Sequence, residues 1–177
     1  EGVPQDDAEA VRWYRLAADQ GHAAAQFNLG VRYGSGTGVR EDDVEAVRWY
    51  RLAADQGHAG AMNSLGYLYG APDVFAGGER VPQDYAEAVR WYRLAAEQGG
   101  ADGMFSLGVM YLDGTGVPQD DVQAHMWFNL MASRTTDSER GNAVRNLDRV
   151  EGRMTPDQLA EAQRLASAWD AAHPREP

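Results

Sequence analysis

Cysteine is absent from all 177 residues, which excludes disulfides and thiol catalysis and leaves the redox compartment open. Lysine is absent too, so all 16 basic residues are arginine. That one-sided choice reads as the compositional bias of a GC-rich bacterial genome, although arginine also suits planar, two-pronged ion pairing. No apolar run exceeds a few residues, and membrane insertion is not expected. No secretory leader pattern is visible. Acidic residues number 27, for a net charge of −11, so a phosphate backbone or an anionic membrane is repelled on average. Nucleic acid is therefore not expected as a partner. Against these absences stands a hydrophobic content of 44%, enough to bury a core and too much for a disordered tail.

Repetition is what the chain has in abundance. AEAVRWYRLAADQG at 8–21 returns as VEAVRWYRLAADQG at 44–57 and as AEAVRWYRLAAEQG at 86–99, with a degraded copy, VQAHMWFNLMASRT, from Val122. Trp13, Trp49, Trp91 and Trp127 fall 36, 42 and 36 residues apart, the longer interval being one unit with six residues inserted.

Each copy carries two helical patterns. In the first, Ala10, Trp13 and Ala17 recur at i, i+3 and i+7 beside Val11, Tyr14 and Ala18, so the tryptophans are expected in the core. Capping boxes are expected at Asp6 with Glu9, Asp42 with Glu45, Asp84 with Glu87 and Asp120 with Gln123. Gly21, Gly57 and Gly99 mark the ends. Exposed pairs such as Glu9 with Arg12 and Arg15 with Asp19 have helical spacing. The second pattern, from about His22 to Tyr33, repeats Leu-Gly-x-x-Tyr at Leu29, Leu65 and Leu107. A mid-helix glycine costs about 1 kcal/mol relative to alanine, so its recurrence implies close approach of a neighbouring helix, with the large Trp as the expected neighbour. Beyond Trp127 the pattern changes to a helix near 137–152 and a last one opened by Thr155-Pro156-Asp157-Gln158, an atypical cap for the array.

These residues resemble the SEL-like repeat family (SLR), bacterial relatives of tetratricopeptide arrays. The match runs through Ala25, Leu29, Gly30, Tyr33, Gly36, Gly38, Val39, Asp43, Ala46, Trp49, Tyr50, Ala53, Ala54 and Gly57, and covers nearly the whole chain. The resemblance implies an all-α, right-handed superhelical solenoid of antiparallel helix pairs, about nine helices in all. The expected organisation is one array over 1–177: a partial unit at 1–21, repeats at 22–57, 58–99 and 100–135, and capping helices at 136–177. In the family's phase residues 1–6 read as the loop of a unit whose first helix is missing, so truncation from a longer array or a removed leader stays open. The resemblance further implies an adaptor or scaffold binding a protein or peptide partner, with no cofactor.

Rival chemistries are poorly supplied. GSGTGV at 34–39 follows a helix instead of a strand, and no lysine exists to reach a phosphate. His22 and His58 sit 36 residues apart with no i, i+4 partner, which favours a structural role over metal binding. The acidic pairs at 6–7, 42–43 and 120–121 lack the alternating ligands of a calcium loop and read as helix caps. No nucleophile–base pair is evident, so an enzyme is not expected. Envelope-associated ligand or cell-wall binding and self-assembly are the alternatives, with a monomer or weak self-association expected.

Partner contacts are expected where copies differ on the Leu-Gly helix: Asn28, Ser64 and Ser106 at one position, Val31, Tyr67 and Val109 at another. Arg32, Leu68 and Met110 at the next read as partly core. The insertion at 70–80 adds Val74 and Phe75, an apolar pair with no place in the repeat.

Overall fold

The computed structural model describes residues 6–71 and 81–174, and among these it contains nine α-helices and no strand. Four carry the tryptophan pattern: α1 (Asp7–Asp19), α3 (Asp43–Ala54), α5 (Tyr85–Glu97) and α7 (Asp121–Arg134). Three carry Leu-Gly: α2 (Ala23–Ser35), α4 (Ala59–Gly70) and α6 (Ala101–Asp113). The chain closes with α8 (Asp137–Glu151) and α9 (Pro156–Ala172). From α1 to α8 each helix packs on the next in sequence, and α9 folds back onto α7. This is an all-α helical-repeat solenoid.

Local signals start and stop these helices as expected, with one change. Asp6, Asp42, Asp84 and Asp120 each accept from the amide three residues on, at 2.9–3.1 Å. The reciprocal half of the box is not made. The amides of Asp42, Asp84 and Asp120 instead donate to the carbonyls of Tyr33, Tyr69 and Tyr111, at 3.0, 2.8 and 2.9 Å. The Leu-Gly-x-x-Tyr helix therefore ends by capping the helix after it. Glu45, freed from capping, accepts from Trp49 Nε1 at 2.9 Å and from Arg48 at 3.3 Å. Among the described residues only α9 keeps the full reciprocal box, between Thr155 and Gln158. Gly21, Gly57 and Gly99 take the left-handed conformation after their helices.

Packing corrects two further expectations. The repeated mid-helix glycine faces the residue after the tryptophan, not the tryptophan itself. A Cβ added at Gly66 would lie 2.5 Å from the Tyr92 ring, and Gly30 and Gly108 meet Tyr50 and Phe128 in the same way. The glycine is thus a socket for the next helix's ring, worth its conformational cost because the ring is buried. The second correction concerns burial. Trp49, Trp91 and Trp127 are buried, but Trp13 is 65% exposed, because no helix among the described residues covers that face of α1.

Surface pairing also differs. Arg15 does not pair with Asp19 but donates to the Tyr33 hydroxyl; Arg51 and Arg93 do the same to Tyr69 and Tyr111, at 2.6 and 2.9 Å. Charge–carboxylate pairs at i, i+3 do form in two later copies, Arg48 with Glu45 and Arg90 with Glu87.

The glycine-rich loops are closures of the repeat. Gly116 sits at φ +71° with its Cα against the Tyr85 backbone, where a Cβ would come within 2.5 Å of the carbonyl oxygen. Any side chain there would collide with the start of α5 and strain the backbone.

Along the solenoid, α5 joins two cores. Its Trp91 and Ala95 belong to the cluster built by α1–α4, whereas Ala88, Val89 and Tyr92 belong to the one shared with α6, α7 and the cap. The cap is held by Trp169, edge-on to Trp127 at 5.7 Å, and by Arg134, whose Nε donates to Asp170 at 3.0 Å while its guanidinium covers Trp169. Fully buried Leu29, Leu65 and Leu107, one per repeat, each contribute about 1.5–3 kcal/mol of apolar burial.

Candidate interaction groove

The three Leu-Gly helices contribute to one groove of about 360 Å³. Val31 of α2, Ser64 and Tyr67 of α4 and Ser106 of α6 line it, which brings together four of the sequence-predicted positions. Its floor is aromatic. Tyr50 and Tyr92, the rings seated on Gly30 and Gly66, reach it from α3 and α5. Burial pushes the Tyr50 phenol above its usual range; its hydrogen bond to Ser64 opposes the shift, and the Asp43 carboxylate adds to it. Tyr92 behaves likewise, raised by burial, opposed by its hydrogen bond to Ser106 and raised further by Tyr67. Tyr67 is 58% exposed and stands at the rim.

The remaining predicted residues lie elsewhere. Asn28 occupies the Ser64 position on α2 but does not line the groove, and Val109 packs partly buried against the small core around Phe128 and Val150. Val74 and Phe75 lie outside the described residues. At the neighbouring position Leu68 lines the groove, Met110 is buried, and Arg32 pairs with Asp7 at 2.9 Å. Sequence reasoning missed Asn63, Tyr50 and Tyr92. The phenols look like core from their spacing, and Asn63 is betrayed only by aligning it with Phe27 and Phe105.

No acid–base or metal chemistry converges here. The lining holds no charged side chain, and among the described residues no group of three or more His, Cys, Asp or Glu could hold a metal ion. His58 is structural: its Nδ1 accepts from the Ala61 amide at 3.1 Å, and its ring stacks on Phe27 at 4.5 Å. Among the described residues no helix is long and apolar enough to cross a membrane.

The nine described helices, paired and stacked in order, define a helical-repeat protein. The Sel1 repeat family model matches residues 1–22, 23–58, 59–100 and 101–135, and the chain belongs to that family. Sel1 repeat proteins are typically protein–protein interaction modules and generally non-enzymatic. A Sel1 repeat protein from Oxalobacter formigenes is 34% identical over 92% of this chain and 67% of its own, with a TM-score of 0.69. A protective antigen of uropathogenic Escherichia coli strains displaying an SLR fold is 20% identical over 97% of this chain, with a TM-score of 0.29; this chain spans 58% of it. An immunity protein from Pseudomonas aeruginosa is 19% identical over 97% of this chain and 75% of its own, with a TM-score of 0.39. No curated protein matches the chain.

Proposed function

We propose that this chain is a non-enzymatic scaffold that binds a segment of a partner protein along the groove of the Leu-Gly helices. One array does this, with repeats at 22–57, 58–99 and 100–135 and the cap at 136–177. The observation that carries the reading is the convergence of Val31, Ser64, Tyr67 and Ser106, from three helices, over a floor of two buried phenols. These positions differ between copies while the surrounding Leu, Gly and Tyr do not. A repeat core with a variable lining is a general device for writing specificity without disturbing the fold. Exposed Tyr67 supplies the large, stiff aromatic surface typical of residues that dominate binding energy.

The test is affinity capture from the source cell's lysate and envelope fraction, comparing the intact chain with Tyr67→Glu and Trp13→Glu variants. A protein held by the intact chain and by Trp13→Glu, but lost with Tyr67→Glu, supports the groove. Equal loss in both variants, or none in either, removes it. A variant lacking residues 71–78 separates any contribution of Val74 and Phe75.

Self-association is a second reading, favoured by the face of α1 that no helix among the described residues covers, where Trp13 and Leu16 are 65% and 54% exposed. Light scattering over a concentration series tests it; a strict monomer at high concentration ends that reading.

A further inference from the structure

One position on the Leu-Gly helices breaks the repeat inside the groove. Phe27, Asn63 and Phe105 are equivalent. Phe27 packs on the Tyr50 ring at 5.8 Å, and Phe105 on the Phe128 ring at 5.7 Å. Tyr50, Tyr92 and Phe128 are themselves equivalent, each seated on the glycine of its repeat. In the outer repeats a phenylalanine thus fills the space beside that ring. The middle repeat places an amide there, and the space left over opens into the groove.

The amide is under-used. Asn63 Oδ1 is buried without a hydrogen-bond partner, whereas the phenols beside it are already paired with Ser64 and Ser106. A buried acceptor with no donor is destabilising, and native interiors rarely tolerate one without a reason. Asn63 as a whole remains partly exposed, and rotation about χ2 of an asparagine is soft, so the oxygen can turn toward the groove.

A primary amide offers one acceptor and two donors on a planar group, the complement of a peptide unit with its N–H and C=O. Main-chain groups inside a helix are already satisfied, so only an extended segment has them to offer. No charged side chain lines the groove, so a charged residue buried there would meet no ion-pair partner in the lining, and the Asp43 carboxylate acting on Tyr50 would repel an acidic one. We infer that Asn63 is a main-chain reader: its amide pairs with one peptide unit of an extended, uncharged stretch of the partner, beside the exposed Tyr67 ring. This rests on the scaffold reading and states which kind of segment the groove accepts.

The decisive variant is Asn63→Phe, which restores the residue used by both neighbouring repeats and closes the notch while keeping the fold. Displayed random 12-residue peptides are selected on the intact chain, and the winners are measured by fluorescence anisotropy. Expected winners share an uncharged extended core, lose about tenfold or more in affinity on N-methylation of one central peptide bond, and lose a similar factor against Asn63→Phe. Winners lost with Tyr67→Glu but indifferent to Asn63→Phe and to N-methylation would leave the groove reading standing and overturn the role of Asn63. Winners that are helical or charged at their core would overturn it equally. No winners, or winners indifferent to Tyr67→Glu, would remove the groove reading itself and this inference with it.

Discussion

Residues 8–18 and 86–96 are the same eleven amino acids, AEAVRWYRLAA, yet they live in different environments. Both form 13-residue helices, and both are capped by an aspartate accepting from the amide three residues on, at 3.1 Å for Asp6 and 3.0 Å for Asp84. The stripe that meets the following Leu-Gly helix is buried equally: Val11 and Ala18 in α1, Val89 and Ala96 in α5. The opposite face is not. Trp91 is 7% exposed, and Trp13 is 65% exposed. Identical sequence therefore yields identical local structure and identical packing on one neighbour. What it cannot supply is the second neighbour, which α5 has in the preceding repeat and α1 lacks among the described residues.

The sharpest way to break this comparison is to delete each tryptophan. Trp91→Ala is expected to cost about 3–5 kcal/mol, from lost burial and the cavity left behind. Trp13→Ala is expected to change stability by no more than about 0.5 kcal/mol, as at other exposed sites. Urea denaturation of both variants checks this, and equal costs would mean that the face of α1 is covered in solution.

Next comes the ring socket. Gly66→Ala drives a methyl into the Tyr92 ring and should cost about 1–3 kcal/mol. In α8, Gly141 meets nothing closer than 3.9 Å, so Gly141→Ala should stabilise by up to about 1 kcal/mol through helix propensity. Thermal melts of the pair distinguish packing from propensity, and a loss in both would show that propensity reasoning fails for the cap.

Capping should ignore the difference between α1 and α5. Asp6→Ala and Asp84→Ala are each expected to cost about 1 kcal/mol, because the cap bond is local and present in both. A much smaller cost for Asp6→Ala would show that α1 frays independently of the rest.

The smallest effect is alkaline. The Tyr92 phenol titrates above its ordinary 10.0 because burial disfavours its charged form. Its raised value means that its contribution is complete below about pH 10 and is lost as pH climbs through the folded-state value. The melting temperature should therefore fall above pH 10, and less steeply in Tyr92→Phe, which has the ring of Phe128 at the same position.

Much of the array was legible in the residues. Periodicity, aspartate caps, terminal glycines and the Thr155 box located the nine helices to within a few residues, since each of these signals acts within a turn or two of chain. Errors began where a second element entered. The amide of Asp42 finds the Tyr33 carbonyl instead of its own glutamate, and Arg15 reaches Tyr33 across to α2. The mid-helix glycine was rightly read as a close approach, but a tyrosine, one residue past the tryptophan, fills it. In the groove, variation between copies picked out Val31, Ser64, Tyr67 and Ser106. It also picked out Asn28 and Val109, which lie away from it, because equivalent positions in successive repeats need not face the same cavity.

The sequence by itself determined the repeat, the helices, their caps and the stripe each helix turns toward the next. These depend on hydrogen bonds and apolar spacing within one or two turns, and equal strings give equal results. Tertiary structure alone decided which tryptophans are buried, which ring sits on which glycine, and that Asn63 opens a notch between two phenylalanine-filled repeats. Burial is a property of what lies on the other side of a side chain, and a string of residues does not contain its own neighbours.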